Sequence, residues 1–94
     1  MKIRWFRDAI NDLQELRDYI ANDNSTAADQ TAKRILKTVS ILLEHPHIGR
    51  PGRVPATREL VVPGTPYVIP YRIKNDIIEI LRVFHGAMLW PDEM

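Results

Sequence analysis

The sequence predicts an α+β fold of the order β-α-α-β-β-β, in which an antiparallel sheet is covered on one face by a helical hairpin. One predictor is a near-continuous apolar run at 77–85, which is typical of a strand buried on both faces. The others are helix-periodic segments at 8–22 and 26–44, followed by short strand-like runs. The chain of 94 residues is expected to form a single domain, 1–94.

The first two elements are a short strand and an amphipathic helix. Residues 2–6 predict the strand, because Ile3 and Trp5 alternate with more polar neighbours. The helix follows at 8–22, with Asp8 as its N-cap. Its apolar positions recur at helical spacing: Ile10, Leu13, Leu16 and Ile20.

The second helix is predicted over 26–44. Thr26 and Asp29 approximate a capping box at its start, and Pro46 prevents its continuation. The polar turn at 22–24 is short, so the two helices are expected to form an antiparallel hairpin. The apolar stripe of this helix comprises Ala28, Ala32, Ile35, Val39 and Leu42.

A loop rich in proline and glycine is predicted at 45–57, and a strand meander follows it. The strands are expected at 58–62, 67–73 and 77–85, and Pro70 implies a bulge or an unpaired edge in the second of them. The predicted core of the whole domain is Ile10, Leu13, Ile20, Ile35, Val39, Leu42, Ile80 and Phe84.

Composition excludes several classes of protein. There is no cysteine, so a disulfide framework and a thiolate metal site are excluded. The N-terminus has no signal-peptide core, and no run of about 18 apolar residues could span a membrane. These features fit a cytoplasmic protein. None of the HExxH, P-loop, GxGxxG or GxSxG motifs is present, so no metal and no cofactor is expected.

Charge is distributed unevenly along the chain, although the formal net charge is only +1. Residues 1–44 are balanced, whereas residues 45–74 carry five Lys/Arg against Glu59 alone, giving +4, and residues 75–94 carry −3. A local basic block predicts an anionic partner. A solvated arginine-rich loop is the simpler alternative.

Arginines beside a histidine suit metal-independent RNA cleavage, in which cations stabilise the phosphorane and histidine moves protons. Arg82 and His85 would face opposite sides of a regular strand, so they can act together only if the strand is irregular between them. His85 has an equally good structural interpretation as a strand-end residue. The candidate catalytic residues are His85, Arg58, Arg72 and Arg82, and the candidate residues for binding RNA or an antitoxin are Arg50, Arg53, His47 and Lys74.

The motifs PHIGR, TRELVV, YVIPYR and ILRVFHG, in this order after a helical hairpin, resemble the RelE/ParE toxins of type II toxin–antitoxin modules. The resemblance spans residues 2 to about 90. It implies a bacterial plasmid-stabilising or chromosomal toxin held inactive by an antitoxin with a ribbon-helix-helix or similar DNA-binding part.

The resemblance leaves the target open between two activities. RelE-like members cut mRNA on the ribosome, and ParE-like members poison DNA gyrase. The segment 86–94 lacks the Lys/Arg-plus-Tyr group of RelE, whereas His85 matches the position of a histidine in some endonuclease relatives. The arginine block gives RNA cleavage a slight preference over gyrase inhibition, and a non-catalytic antitoxin-binding module is a further alternative.

Overall fold

In the computed structural model, which describes residues 1–87, two helices pack on one face of a mixed sheet of six short strands. The elements in chain order are β1 (Lys2–Trp5), α1 (Arg7–Ala21), α2 (Ser25–Ser40), a 3₁₀ turn (Ile41–Leu43), β2 (Arg50–Pro51), β3 (Arg58–Val61), β4 (Tyr67–Lys74), β5 (Ile77–Ile80) and β6 (Phe84–His85). The predicted fold class is therefore confirmed.

The sheet has the strand order β1-β5-β4-β3-β2, with β6 pairing to β4 beyond the end of β5. The predicted antiparallel meander of β3, β4 and β5 is confirmed. The first strand differs from the expectation, because β1 pairs with β5 in parallel and makes the sheet mixed. The predicted loop also contains a short strand, β2, which pairs with the start of β3.

The last predicted strand, 77–85, is interrupted and forms β5 and β6. Between the partners of Ile80 and Phe84, β4 has two residues while the opposite chain has three, 81–83. The extra residue is a bulge opposite Pro70, which has no amide hydrogen to donate to the ladder. The predicted irregularity therefore occurs beside Pro70 but in the opposite chain and not in 67–73, and the prediction of one continuous strand over 77–85 was wrong.

Both helix caps differ from the sequence prediction. Phe6, not Asp8, occupies the N-cap position of α1 and makes no side-chain cap. In α2 the side chain of Asn24 accepts the Ala27 amide hydrogen at 3.0 Å. This is the same N-cap bond that a serine or threonine would make one or two residues later. The Asp29 carboxylate instead pairs with Arg17 at 2.6 Å and joins the two helices.

The core lies between the helical hairpin and the sheet, and most predicted members are there. Ile35, Val39, Leu42 and Ile80 are buried there, and Leu13 and Ile20 are partly buried. Phe84 is buried too, but it lies outside this core, because strand alternation turns it away from the side of Tyr67 and His85. The prediction that Ile10 belongs to the core was wrong, because Ile10 is 43% exposed. The neighbouring Ala9 is fully buried instead, since the buried stripe of α1 starts one residue earlier than predicted.

Candidate functional site

The loop between α2 and β3 is held against the sheet by the buried Tyr71 on β4. Its hydroxyl donates to the Pro46 carbonyl at 2.8 Å and accepts the Gly49 amide hydrogen at 2.9 Å. A Cβ at Gly49 would lie 2.6 Å from the Tyr71 ring, so only glycine allows this approach. Burial of Tyr71 raises the pKa of its phenol.

Arg58 fastens the same loop from β3. Its Nη1 donates to the His47 carbonyl at 3.0 Å and to the Gly49 carbonyl at 2.8 Å. Arg58 also lines an open depression of about 340 Å³ together with Arg72 and the exposed His47. The depression therefore contains three residues that the sequence predicted as part of a site.

Two of the predicted binding arginines surround a buried carboxylate. The side chain of Glu59 is only 1% exposed, and its oxygens lie 3.3 Å from Arg50 Nη2 and 3.5 Å from Arg53 Nε. Glu59 also accepts the Arg53 amide hydrogen at 3.0 Å. A buried carboxylate needs such partners, so these arginines stabilise the loop and their charge is partly neutralised.

Arg72 lies on the face of the sheet away from the helices. Its Nε donates to Glu79 Oε1 at 2.6 Å, and its guanidinium carbon lies 5.7 Å from the centre of the Phe6 ring. Lys74 follows at the exposed end of β4. Of these two predicted site residues, Arg72 is therefore fixed by its own chain and Lys74 extends into solvent.

Arg82 connects the end of the sheet to α1 through an ion pair. Its Nε and Nη2 donate to both carboxylate oxygens of Asp12, at 2.7 and 3.0 Å. Asp12 also accepts the Val83 amide hydrogen at 2.9 Å. One carboxylate therefore accepts three hydrogen bonds from two residues of the bulge. The hydrogen bond to Asp12 raises the pKa of Arg82, which stays charged at any working pH.

His85 is exposed at the end of β6. Its Nδ1 accepts the Ala87 amide hydrogen at 3.1 Å, and its ring meets Tyr67 edge to face at a centroid distance of 6.2 Å. His85 and Arg82 both line an open groove of about 480 Å³ between α1 and the end of the sheet. The bulge thus gives the irregular strand that the two residues need to share one surface.

The four predicted catalytic residues are distributed over more than one surface. Arg58 and Arg72 line the depression beside the loop, and Arg82 and His85 line the groove beside α1. Strand alternation puts Arg72 and His85 on opposite faces, because Tyr71 and Tyr67 both point toward the helices and pair with Ile80 and His85 respectively.

Sequence reasoning missed two aromatic side chains in this groove. Tyr19 is 75% exposed on α1, and Tyr67 lies across from it beside His85. Burial raises the pKa of Tyr67, and the neighbouring Tyr19 phenol raises it further. A large exposed aromatic residue off the apolar stripe of a helix is the signal that could have identified Tyr19.

The sequence profile of the ParE toxin of the type II toxin–antitoxin system, parDE, matches residues 3–90. The chain belongs to the ParE toxin family. A relative of this ParE-family chain is Y4kP of Sinorhizobium fredii, which carries a toxin name and is 47% identical over 90 residues, covering 96% of this chain and 93% of that protein. The toxin RelE2 of Caulobacter vibrioides is 34% identical over 88 residues, covering 94% and 98% of the two chains.

Among solved structures, a chain of the chromosomal ParDE toxin–antitoxin system of P. aeruginosa has the same fold. It superposes with a TM-score of 0.82 and 31% sequence identity, and the match covers 90% of this chain and 95% of that chain. Within residues 1–87, no helix is long and apolar enough to cross a membrane. The ParE-family chain is thus a toxin of the type II class by sequence and by fold.

Proposed function

We propose that this ParE-family chain inhibits growth by binding a protein, with DNA gyrase as the target that the family resemblance suggests, and not by cutting mRNA. The observation that carries the proposal is that candidate catalytic arginines already donate hydrogen bonds to acceptors within the chain. Arg82 donates two hydrogen bonds to Asp12, and Arg58 donates two to loop carbonyls. A guanidinium committed in this way has fewer donors for the developing charge of a phosphorane.

The geometry of His85 supports the same proposal. Its Nδ1 lone pair accepts the Ala87 amide hydrogen, so the neutral ring carries its proton on Nε2. A general base needs a free lone pair, and neither nitrogen then offers one. A general acid needs the imidazolium, whose Nδ1 proton would face the Ala87 amide hydrogen and break that bond. Both catalytic roles therefore require a local rearrangement.

The surface of the helical hairpin supports protein binding. Tyr19 on α1 is 75% exposed, and Leu43 after α2 and Ile48 in the loop that follows are about half exposed. Exposed large apolar and aromatic side chains are typical of protein contact sites, and tyrosine is frequent among the residues that contribute most to affinity. Both candidate targets, gyrase and the ribosome, would place the toxin in the cytoplasm.

Expression without antitoxin tests the proposal directly. The same culture is assayed for gyrase-linked DNA breaks and for cleavage of ribosome-bound mRNA. We expect DNA breaks and intact mRNA. Cleaved mRNA without DNA breaks would overturn the proposal and favour the ribonuclease activity.

The second candidate function is ribosome-dependent mRNA cleavage, and one observation favours it. Arg58, Arg72 and His47 share the depression beside the loop, which could admit a phosphate. In that case the active site would lie in this depression and His47 would be the proton carrier. His47→Ala would then abolish mRNA cleavage, whereas His85→Ala would not.

An antitoxin is the expected partner in either case, because the ParDE structure of P. aeruginosa is a toxin–antitoxin system. The antitoxin would have a DNA-binding part, as the family resemblance suggests, and a segment that covers the toxin. If the chain were only a non-catalytic antitoxin-binding module, expression without antitoxin would leave growth unchanged.

A further inference from the structure

The sheet face away from the helices brings together cations that lie far apart in the sequence. β5 lies between β1 and β4, and the strand register aligns their side chains in rows. One row consists of Lys2, Ile77 and Lys74. Their neighbours Ile3, Ile78 and Ile73 belong to the core on the helix side, so this row points the other way.

This row of Lys2, Ile77 and Lys74, the lysine row, combines exposed positive charge with an apolar centre. Lys2 and Lys74 are exposed, and neither has an ion-pair partner within the described part of the chain. Ile77 is partly buried between them. Because neighbouring strands are about 4.8 Å apart, the two lysines start from backbone positions about 10 Å apart. Asp76 in the adjoining turn is the acidic residue nearest in sequence to the row.

The next row along the same strands contains Arg4, Glu79 and Arg72. Glu79 is buried and pairs with Arg72 at 2.6 Å. The guanidinium carbons of Arg4 and Arg72 lie 5.5 and 5.7 Å from the centre of the Phe6 ring. Cation–π contacts of this kind hold both guanidiniums over the ring, so the lysine row is the freer part of the face.

We propose that this face, formed by Lys2, Arg4, Arg72, Ile77 and Lys74, binds a segment of a partner protein in which two acidic side chains flank an apolar one. The acidic side chains pair with the lysines and the apolar one covers Ile77. The proposal goes beyond the toxin's target and does not depend on whether gyrase or mRNA is attacked.

The chemistry of the face favours a peptide over a nucleic acid. Ile77 offers apolar surface at the point where a phosphodiester would need a cation or a donor. Phe6 is contacted by two guanidiniums, so it has little free surface for stacking on a base. An acidic and apolar peptide is compatible with both features, because it covers Ile77 and needs no stacking on Phe6.

The test uses the purified full-length chain and three probes. These are a synthetic peptide of alternating glutamate and leucine, the same peptide with glutamine for glutamate, and a single-stranded oligonucleotide. The test variant is Lys2→Ala/Lys74→Ala. The matched control is Lys33→Ala/Lys37→Ala, which removes the same charge from exposed positions of α2.

We expect the test variant to bind the acidic peptide about three- to tenfold more weakly, as two exposed ion pairs predict, and the control variant to bind it normally. Added salt should weaken binding of the native chain. Ile77→Thr should weaken peptide binding while its circular dichroism stays native. Equal loss in both lysine variants would overturn the proposal, since it would indicate general charge attraction. The proposal would also be overturned if the native chain bound the oligonucleotide more tightly than the acidic peptide and if only oligonucleotide binding depended on Lys2 and Lys74. That result would identify a nucleic-acid site.

Discussion

At the scale of single residues, the arginines act first as structural groups. Asp12 satisfies two nitrogens of Arg82 and one backbone amide, so it stabilises the bulge against α1. We predict that Asp12→Asn lowers the free energy of unfolding by about 1–3 kcal/mol, because three hydrogen bonds lose their charged acceptor. Urea denaturation measures this. Glu15→Gln, one turn later on the same helix and exposed, is the control and should change stability by less than about 0.5 kcal/mol. An equal effect of the two changes would contradict the stabilising role of the ion pair between Asp12 and Arg82.

Tyr71 gives a second prediction at this scale, and it depends on pH. Tyr71→Phe leaves the Gly49 amide without its acceptor and should cost about 1–2 kcal/mol at neutral pH. Burial raises the pKa of Tyr71 in the folded chain above its ordinary value of 10.0. The contribution of the protonated phenol is therefore complete below about pH 10 and is lost as pH rises through the folded pKa. The stability difference between the native chain and Tyr71→Phe should shrink in that range, and a difference that is constant with pH would contradict this account.

At the scale of elements, β5 is the centre of the core. Ile80 is fully buried between Trp5 and Tyr71 of the neighbouring strands. Ile80→Ala should cost about 2–5 kcal/mol, mostly because it leaves a cavity. Ile10→Ala on the exposed side of α1 is the control and should cost less than about 1 kcal/mol. A loss below about 1 kcal/mol for Ile80 would place it outside the core.

The sequence was sufficient for the elements whose hydrophobic period is long and clear. Both helices and the strands β3, β4 and β5 follow from apolar spacing and from the turn residues between them. The split of 77–85 could be predicted only in part, because Pro70 indicates an irregularity in its own strand, whereas the extra residue lies in the neighbouring one. Strand pairing has no local signal, so the parallel alignment of β1 beside β5 could not be read from the chain.

At the scale of the whole molecule, the distribution of charge along the sequence differs from the distribution of unpaired charge in the folded chain. The sequence places a +4 block at 45–74. In the fold, Glu59 pairs with Arg50 and Arg53, and Glu79 pairs with Arg72. Of that block, Lys74 has no ion-pair partner within residues 1–87, and it lies across β5 from Lys2 of the N-terminal strand. Candidate site residues could be selected by type from the sequence, but their partners depend on contacts between distant segments.

The central proposal is that this ParE-family toxin acts by contact with a protein, so that neither His85 nor His47 has a catalytic task. The most direct measurement is growth inhibition by His85→Ala and by His47→Ala, each expressed without antitoxin, with folding checked by circular dichroism. We predict undiminished toxicity, with inhibition depending instead on surface contacts such as Tyr19 and on the segment 88–94, which lies outside the described residues. A folded chain of either variant that has lost about 10²–10⁴-fold of its activity, as expected for loss of a general acid or base, would contradict the claim.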